Sequence, residues 1–129
     1  MAKKKREPVE VFWEGDSLDV VREFPEDVRK KLGEDIRRLQ LGVAPNDAKP
    51  MRSIGPRVAE LRQRDQDGWY RSIYLGVVDG KLHMLHSFVK KSRKTPQNDL
   101  DVAKARLKVV KQRIAEEKKR KSKNAKRKK

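Results

Sequence analysis

The chain has 129 residues, 35 Lys and Arg against 19 Asp and Glu, a formal net charge of +16 and a pI of about 10.3. That length suits one domain rather than two, and the charge points to polyanionic partners: RNA, DNA, an anionic membrane surface or an acidic protein. The absence of cysteine excludes disulfides and thiolate zinc sites and fits a reducing compartment. No apolar run approaches the roughly 20 residues of a membrane-spanning helix. No apolar stretch follows the basic residues Lys3 to Arg6, so no secretory signal is expected and the predicted location is cytoplasmic.

In chain order, residues 1–8 form a basic leader that is expected to be flexible, residues 9–116 a folded domain, and residues 117–129 a basic tail expected to be disordered. Within the domain, Val9, Val11 and Trp13 alternate as in a short strand that Gly15 ends. Asp16 or Ser17 can cap a short helix that runs to Phe24, because either side chain can accept from the free amides of a first turn. Pro25 suits the start of a second helix, and Glu26 and Asp27 suit its dipole. Val28, Leu32, Ile36 and Leu39 then recur at spacings of one helical face, and Gly42 is a plausible stop. The two helices are expected to form an antiparallel hairpin against a sheet. Val43 to Pro56, rich in proline, reads as a loop.

Val58 to Lys94 reads as a meander of three antiparallel strands, dense in β-formers. Asp65-Gln66-Asp67-Gly68 and Asp79-Gly80 mark its turns. Thr95 is the expected cap of a last helix with Pro96 at its first position. Leu100, Ala103, Leu107, Val110 and Ile114 make a narrow apolar stripe suited to packing on the sheet. The predicted class is therefore α+β: an N-terminal strand and helical hairpin on an antiparallel sheet, plus a C-terminal helix.

The chemistry-bearing residues concentrate in the meander. Glu60 and Arg62 share a strand face, and Arg71 shares parity with Trp69, Ile73 and Leu75, an unexpected place for an arginine unless that end of the sheet meets solvent or a ligand. His86, Phe88 and Lys90 share another parity, with Lys91 on the opposite side and Lys94 just before the last helix. His83 and His86, three apart on a strand, are predicted to face opposite ways and so not to chelate one metal. No glycine-rich phosphate loop, HExxH or cysteine nucleophile is present, so no metal and no cofactor is expected. Clustered cations can offset the charge of a phosphorane-like transition state, and a lysine crowded by other cations can act as acid or base. Each residue also has a plainer use. Arg62 and Arg71 can pair with Glu60, Asp65 or Asp67. His86 suits a structural hydrogen bond. Lys90, Lys91, Arg93 and Lys94 suit a solvated run.

Five segments together carry a family resemblance: Glu60-Leu61-Arg62; Tyr70-Arg71-Ser72-Ile73-Tyr74; Met84 to Lys91 (MLHSFVKK); Lys94-Thr95-Pro96; and Ala103-Lys104-Ala105-Arg106. In this order the chain resembles the RelE superfamily of bacterial toxins, and within it the phage-derived, HigB-like branch of type II toxin–antitoxin systems, over roughly Val11 to Ile114. The resemblance implies a microbial-ribonuclease-like fold. It also implies metal-independent cleavage of messenger RNA, usually on the ribosome, through attack of the 2′-hydroxyl, and neutralisation by a cognate antitoxin, expected to be a helix-turn-helix protein. Carried over, the catalytic candidates are Arg62, Arg71, Lys90, Lys91, Glu60 and His86, and the RNA-binding candidates are Lys94, Arg93 and Arg64. The chain departs from several relatives in having no tyrosine between Thr95 and Arg113, which leaves proton transfer to another group. The reading from a different class is a non-catalytic basic nucleic-acid-binding protein, for which both basic termini speak. A gyrase-poisoning variant of the same fold fits less well, because the cations are retained.

Overall fold

Strong alternation of apolar and polar residues in three consecutive segments builds the centre of one sheet. The computed structural model describes residues 7–91 and 94–127, with side chains through Ala125. The elements are β1 (Glu10–Trp13), α1 (Ser17–Arg22), α2 (Glu26–Gln40), β2 (Ala48–Pro50), β3 (Val58–Asp65), β4 (Gly68–Val78), β5 (Lys81–Lys90) and α3 (Gln97–Arg127). The sheet order is β1-β5-β4-β3-β2. The neighbours from β2 to β5 are antiparallel, but β1 runs parallel to β5. The sheet is thus mixed, not antiparallel throughout as predicted. After β1 the chain crosses one face as α1 and α2 and re-enters at the far edge, and the meander back across the sheet delivers β5 alongside β1 in the same direction.

The expected loop over 43–56 contains β2. The buried Asp35 carboxylate accepts from the N–H groups of Asn46 (2.8 Å) and Asp47 (3.3 Å). This pins the chain where Ala48, Lys49 and Pro50 can pair with Leu61, Glu60 and Ala59. Pro50 is tolerated because the strand is an edge. Both turns of the meander follow their chemistry. Asp79 and Gly80 have φ of 51° and 74°, the paired positive values of a tight hairpin. The Asp65 carboxylate accepts from the N–H groups of Asp67 and Gly68.

The sheet is covered on both faces. Val21, Phe24, Val28, Leu32 and Ile36 of the first two helices bury against Leu61, Tyr70, Tyr74, Leu82 and Met84. Ala103, Leu107 and Val110 of α3 bury against Val58, Ile73, Leu75, Leu85 and Phe88, so the predicted stripe packs on the sheet. Leu107 is 4% exposed. Leu107→Ala is expected to cost about 2–5 kcal/mol, read as a fall in the urea midpoint, since the flanking side chains cannot close the gap fully.

Two sequence expectations change. Met84 pairs with Tyr74 and His86 with Ile73, so Leu85 is an extra residue that bulges β5. The bulge resets parity: His83 and His86 lie opposite Leu75 and Ile73, on the same face rather than opposite ones. They hold separate partners, Glu14 and Asp99. Helix α3 also continues to Arg127, through most of the tail that the sequence predicts to be disordered. The segment has no Gly or Pro, and Glu117 pairs with Lys121 four residues on (3.8 Å) and with Lys81 of β5 (3.3 Å), which extends the helix past its last core contact. The basic leader lies outside the described residues as far as residue 6.

Candidate nucleic-acid interface

Helix α3 covers only part of its face of the sheet. Beyond its first turn that face carries the side chains of Arg62 and Arg64 from β3 and Trp69 and Arg71 from β4. Arg62 is directly opposite Arg71, Arg64 opposite Trp69, and Trp69 opposite Lys90 of β5. Two adjoining hollows lie here. One, of about 320 Å³, is lined by Lys49, Arg52, Ser53, Arg71, Lys94 and Thr95 among others. The other, of about 430 Å³, is lined by Lys49, Arg62, Trp69 and Arg71. Lys49 and Arg71 belong to both, so cations from β2, β3, β4 and the segment before α3 surround one space. A larger hollow of about 720 Å³ beside Leu39, Val58, Ala59 and Tyr74 is mainly apolar and meets the basic one at Pro50 and Arg52.

Arg71 is the pivot. It is 2% exposed and paired with Glu60, which is fully buried. A carboxylate can be buried here only because a guanidinium reaches it from the next strand. The second Glu60 oxygen accepts from the Thr95 hydroxyl (3.1 Å), which in turn accepts from the Lys90 ammonium (3.2 Å). Thr95 therefore joins the charged cluster instead of capping α3. The amides of Asp99 and Leu100, the third and fourth residues of the helix, donate to the Pro96 carbonyl. Burial pushes the Lys90 ammonium down from 10.5 to about 8. The neighbouring Arg71 and, more weakly, Lys49 push the same way, against Glu60 and Asp99. The Arg71 and Arg64 guanidiniums lie 5.1 Å and 4.8 Å from the centre of the Trp69 ring, which holds both as a cation–π platform.

The remaining candidates are placed differently. Arg62 pairs with Asp47 (3.2 Å) at the rim, and Lys94 lines the first hollow. Lys91 is exposed past the end of β5 and lines neither hollow. Arg93 lies outside the described residues. His86 has both ring nitrogens engaged, Nε2 with Asp99 (2.7 Å) and Nδ1 with Arg106 (3.3 Å), and it stacks on Phe88. A guanidinium can only donate to Nδ1, so Nε2 carries the proton and donates to Asp99. Arg106 also donates to the Leu85 carbonyl and to Asp16, whose carboxyl it holds below the usual range. Gly15, at φ 54°, leaves the room that this guanidinium occupies. Asp16 thus ties α3 to the turn before α1 and makes no capping bond to α1. His86 and Arg106 together read as a structural clamp.

Sequence reasoning missed Lys49, Arg52, Ser53 and Thr95. The basic residues of Lys49-Pro50-Met51-Arg52 were visible, but only the pairing of Lys49 with Glu60 brings them to the site. Among the described residues no group of three or more His, Cys, Asp or Glu is arranged to hold a metal ion.

A family model described as "Phage derived protein Gp49-like" matches residues 19–108, from α1 into α3. A solved structure of the E. coli toxin RelE, a double arginine-to-alanine mutant in the free state, is similar at 18% identity with a TM-score of 0.48. The similarity covers 67% of this chain and 86% of that one. No curated protein matches.

Proposed function

The chain belongs to the phage-derived Gp49-like family, and from that premise we propose that it is a RelE-superfamily toxin of a type II toxin–antitoxin pair that cuts messenger RNA on the ribosome. The observation that carries the cutting activity is the convergence of Lys49, Arg62, Arg71 and Lys94 on one space, with Lys90 one hydroxyl behind it. These are the groups a metal-independent attack needs. The 2′-oxygen attacks phosphorus, the bond to the 5′-oxygen breaks, and a 2′,3′-cyclic phosphate and a free 5′-hydroxyl result.

In this mechanism Arg71 and Lys49 flank the scissile phosphate and offset the charge that builds on its oxygens. Arg62 and Lys94 hold the adjoining backbone. Lys90 supplies the proton to the leaving 5′-oxygen through the Thr95 hydroxyl, whose own hydrogen turns from Glu60 to that oxygen as the Lys90 proton replaces it, and the lowered pKa of Lys90 suits it to this. Glu60 positions Arg71. It is not the base, because Arg71 and Thr95 occupy it, and His86 is likewise held by Asp99 and Arg106. The 2′-hydroxyl proton passes to solvent. The partners in this reading are ribosome-bound message, ribosomal RNA and a helix-turn-helix antitoxin, and the site of action is the cytoplasm. No helix among the described residues is long and apolar enough to cross a membrane.

The test is cleavage of a message in translating ribosomes. Lys49→Ala should slow cutting by about 10- to 100-fold, in keeping with the loss of one charge contact to the reacting phosphate. Lys49 is exposed and its loss should leave the thermal midpoint in place. Unchanged cutting by Lys49→Ala would remove this hollow from the mechanism. A wild-type protein that binds message in a salt-sensitive way and never cuts it would establish the competing reading, a non-catalytic basic nucleic-acid-binding protein, which the cationic end of α3 favours.

A further inference from the structure

We propose that the overhanging end of α3 is a helical arm that binds the phosphate backbones of double-stranded RNA, apart from the hollow where the message is cut. Val110 is the last fully buried residue of α3 and Ile114 the last to touch the core. Glu117 is the last residue tied to the sheet, through Lys81. From Lys118 the helix stands clear for ten more residues, about 15 Å at the usual rise.

Lys118, Lys119, Arg120, Lys121 and Lys123 are all exposed. At 100° per residue they point to every side of the helix, so no seam is left for a protein helix. The described side chains from Ala115 to Ala125 include no apolar group larger than alanine and no aromatic ring. The first absence argues against insertion into a lipid surface. The second removes the stacking platforms on which single-stranded bases rest. What remains is a rod of positive charge, and a duplex, whose phosphate rows flank a groove, presents the matching charge along a line.

The spacing within the arm adds a second argument. Lys119 and Lys123 are four apart, and Lys118 and Lys121, like Arg120 and Lys123, are three apart, so neighbouring cations repel along the helix. Phosphates that neutralise them remove that repulsion, and binding should therefore stiffen the arm. The choice of RNA over DNA rests on the function proposed above, while the binding itself does not.

The experiment uses the full chain and a variant with Lys118, Lys119, Arg120, Lys121 and Lys123 all replaced by Gln, a good helix former that keeps the length. A chain shortened after Glu117 serves as a second variant. Binding to a 20-base-pair RNA duplex, the same DNA duplex and phosphatidylserine-containing vesicles is measured across salt concentrations. For the native chain on RNA, the slope of log affinity against log salt should be steeper by roughly four than for the Gln variant, in line with five cations near phosphates, and steeper by at least as much than for the shortened chain, which loses nine cations. Helical circular dichroism should rise on adding RNA to the native chain alone. Equal slopes in native and variant chains would overturn the proposal. So would native binding that is tighter to DNA or to vesicles than to RNA. If the native chain cuts no message in translating ribosomes yet its RNA slope still depends on the arm, the nuclease reading fails and the arm stands.

Discussion

Replacing Arg71 by Met is expected to abolish cutting and to lower stability by about 3–5 kcal/mol, and adding Glu60→Leu should return most of the stability and none of the cutting. The first half follows from burial. Glu60 is fully buried and Arg71 2% exposed, so loss of the guanidinium leaves a carboxylate in the interior without its main counter-charge. Removing both charges together leaves an apolar pair of similar volume between strands that already bury Ile73 and Leu61. The second half follows from position. Arg71 lines both hollows, whereas Arg52 and Arg62 each line only one of them. Cutting should fall by about 10²–10³ or more in the single and the double variant alike. The measurements are urea midpoints and message cleavage in translating ribosomes. A double variant that is stable and still cuts at the native rate would make the pair purely structural.

Lys90 should impose a falling limb on the pH profile of cutting, with a midpoint near pH 8. Its ammonium is pushed to about 8, chiefly by burial and next by Arg71, so the proton it gives to the leaving oxygen is present below that pH and gone above it. Lys90→Met should lower cutting by about 10²–10⁴ and erase the limb. The same residue should leave an opposite mark on stability. Between pH 8 and 10.5 the unfolded chain holds this proton and the folded chain does not, so stability rises with pH through that window. The unfavourable contribution is fully present below pH 8, up to about 3 kcal/mol, because Lys90 is 7% exposed. Other groups titrate at high pH, among them Tyr70 and Tyr74, both raised mainly by burial. The informative quantity is therefore the difference between native and Lys90→Met urea midpoints at pH 7 and pH 10. Lys90→Met should gain relative stability at pH 7 and lose that advantage by pH 10. A native chain that cuts equally well at pH 7 and pH 9.5 would take Lys90 out of the proton-transfer step.

The Glu60–Thr95–Lys90 chain also accounts for why the site needs the whole fold. Glu60 comes from β3, Lys90 from β5 and Thr95 from the segment before α3; the Lys90–Thr95 bond is local, but the Thr95–Glu60 bond joins residues that only sheet order brings together. Arg106 secures the same region from behind. It fastens α3 to the bulge at Leu85 and to the turn at Asp16, and so sets where α3 begins to uncover the basic face.

The sequence by itself determined what depends on neighbours a few residues away. The α2 face of Val28, Leu32 and Ile36, the α3 stripe of Ala103, Leu107 and Val110, the Asp79-Gly80 turn and the α+β class follow from periodicity and turn chemistry, which are local properties of the chain. The crowding of cations into the meander was equally legible, and so was the family. Only the tertiary structure decided the parallel seating of β1, the three-residue strand β2, the bulge that turns His83 and His86 to one face, and the burial of Glu60 against Arg71. It also decided which cations share a hollow: Lys49 is brought in, while Lys91 is left outside. The reason is that a charge's burial and its partners are set by strands far apart in sequence. Arg62, Arg71, Lys90 and Lys91 are all cations in or at the end of the meander along the chain, and sheet pairing makes one a rim contact, two a buried cluster and the last an exposed lysine.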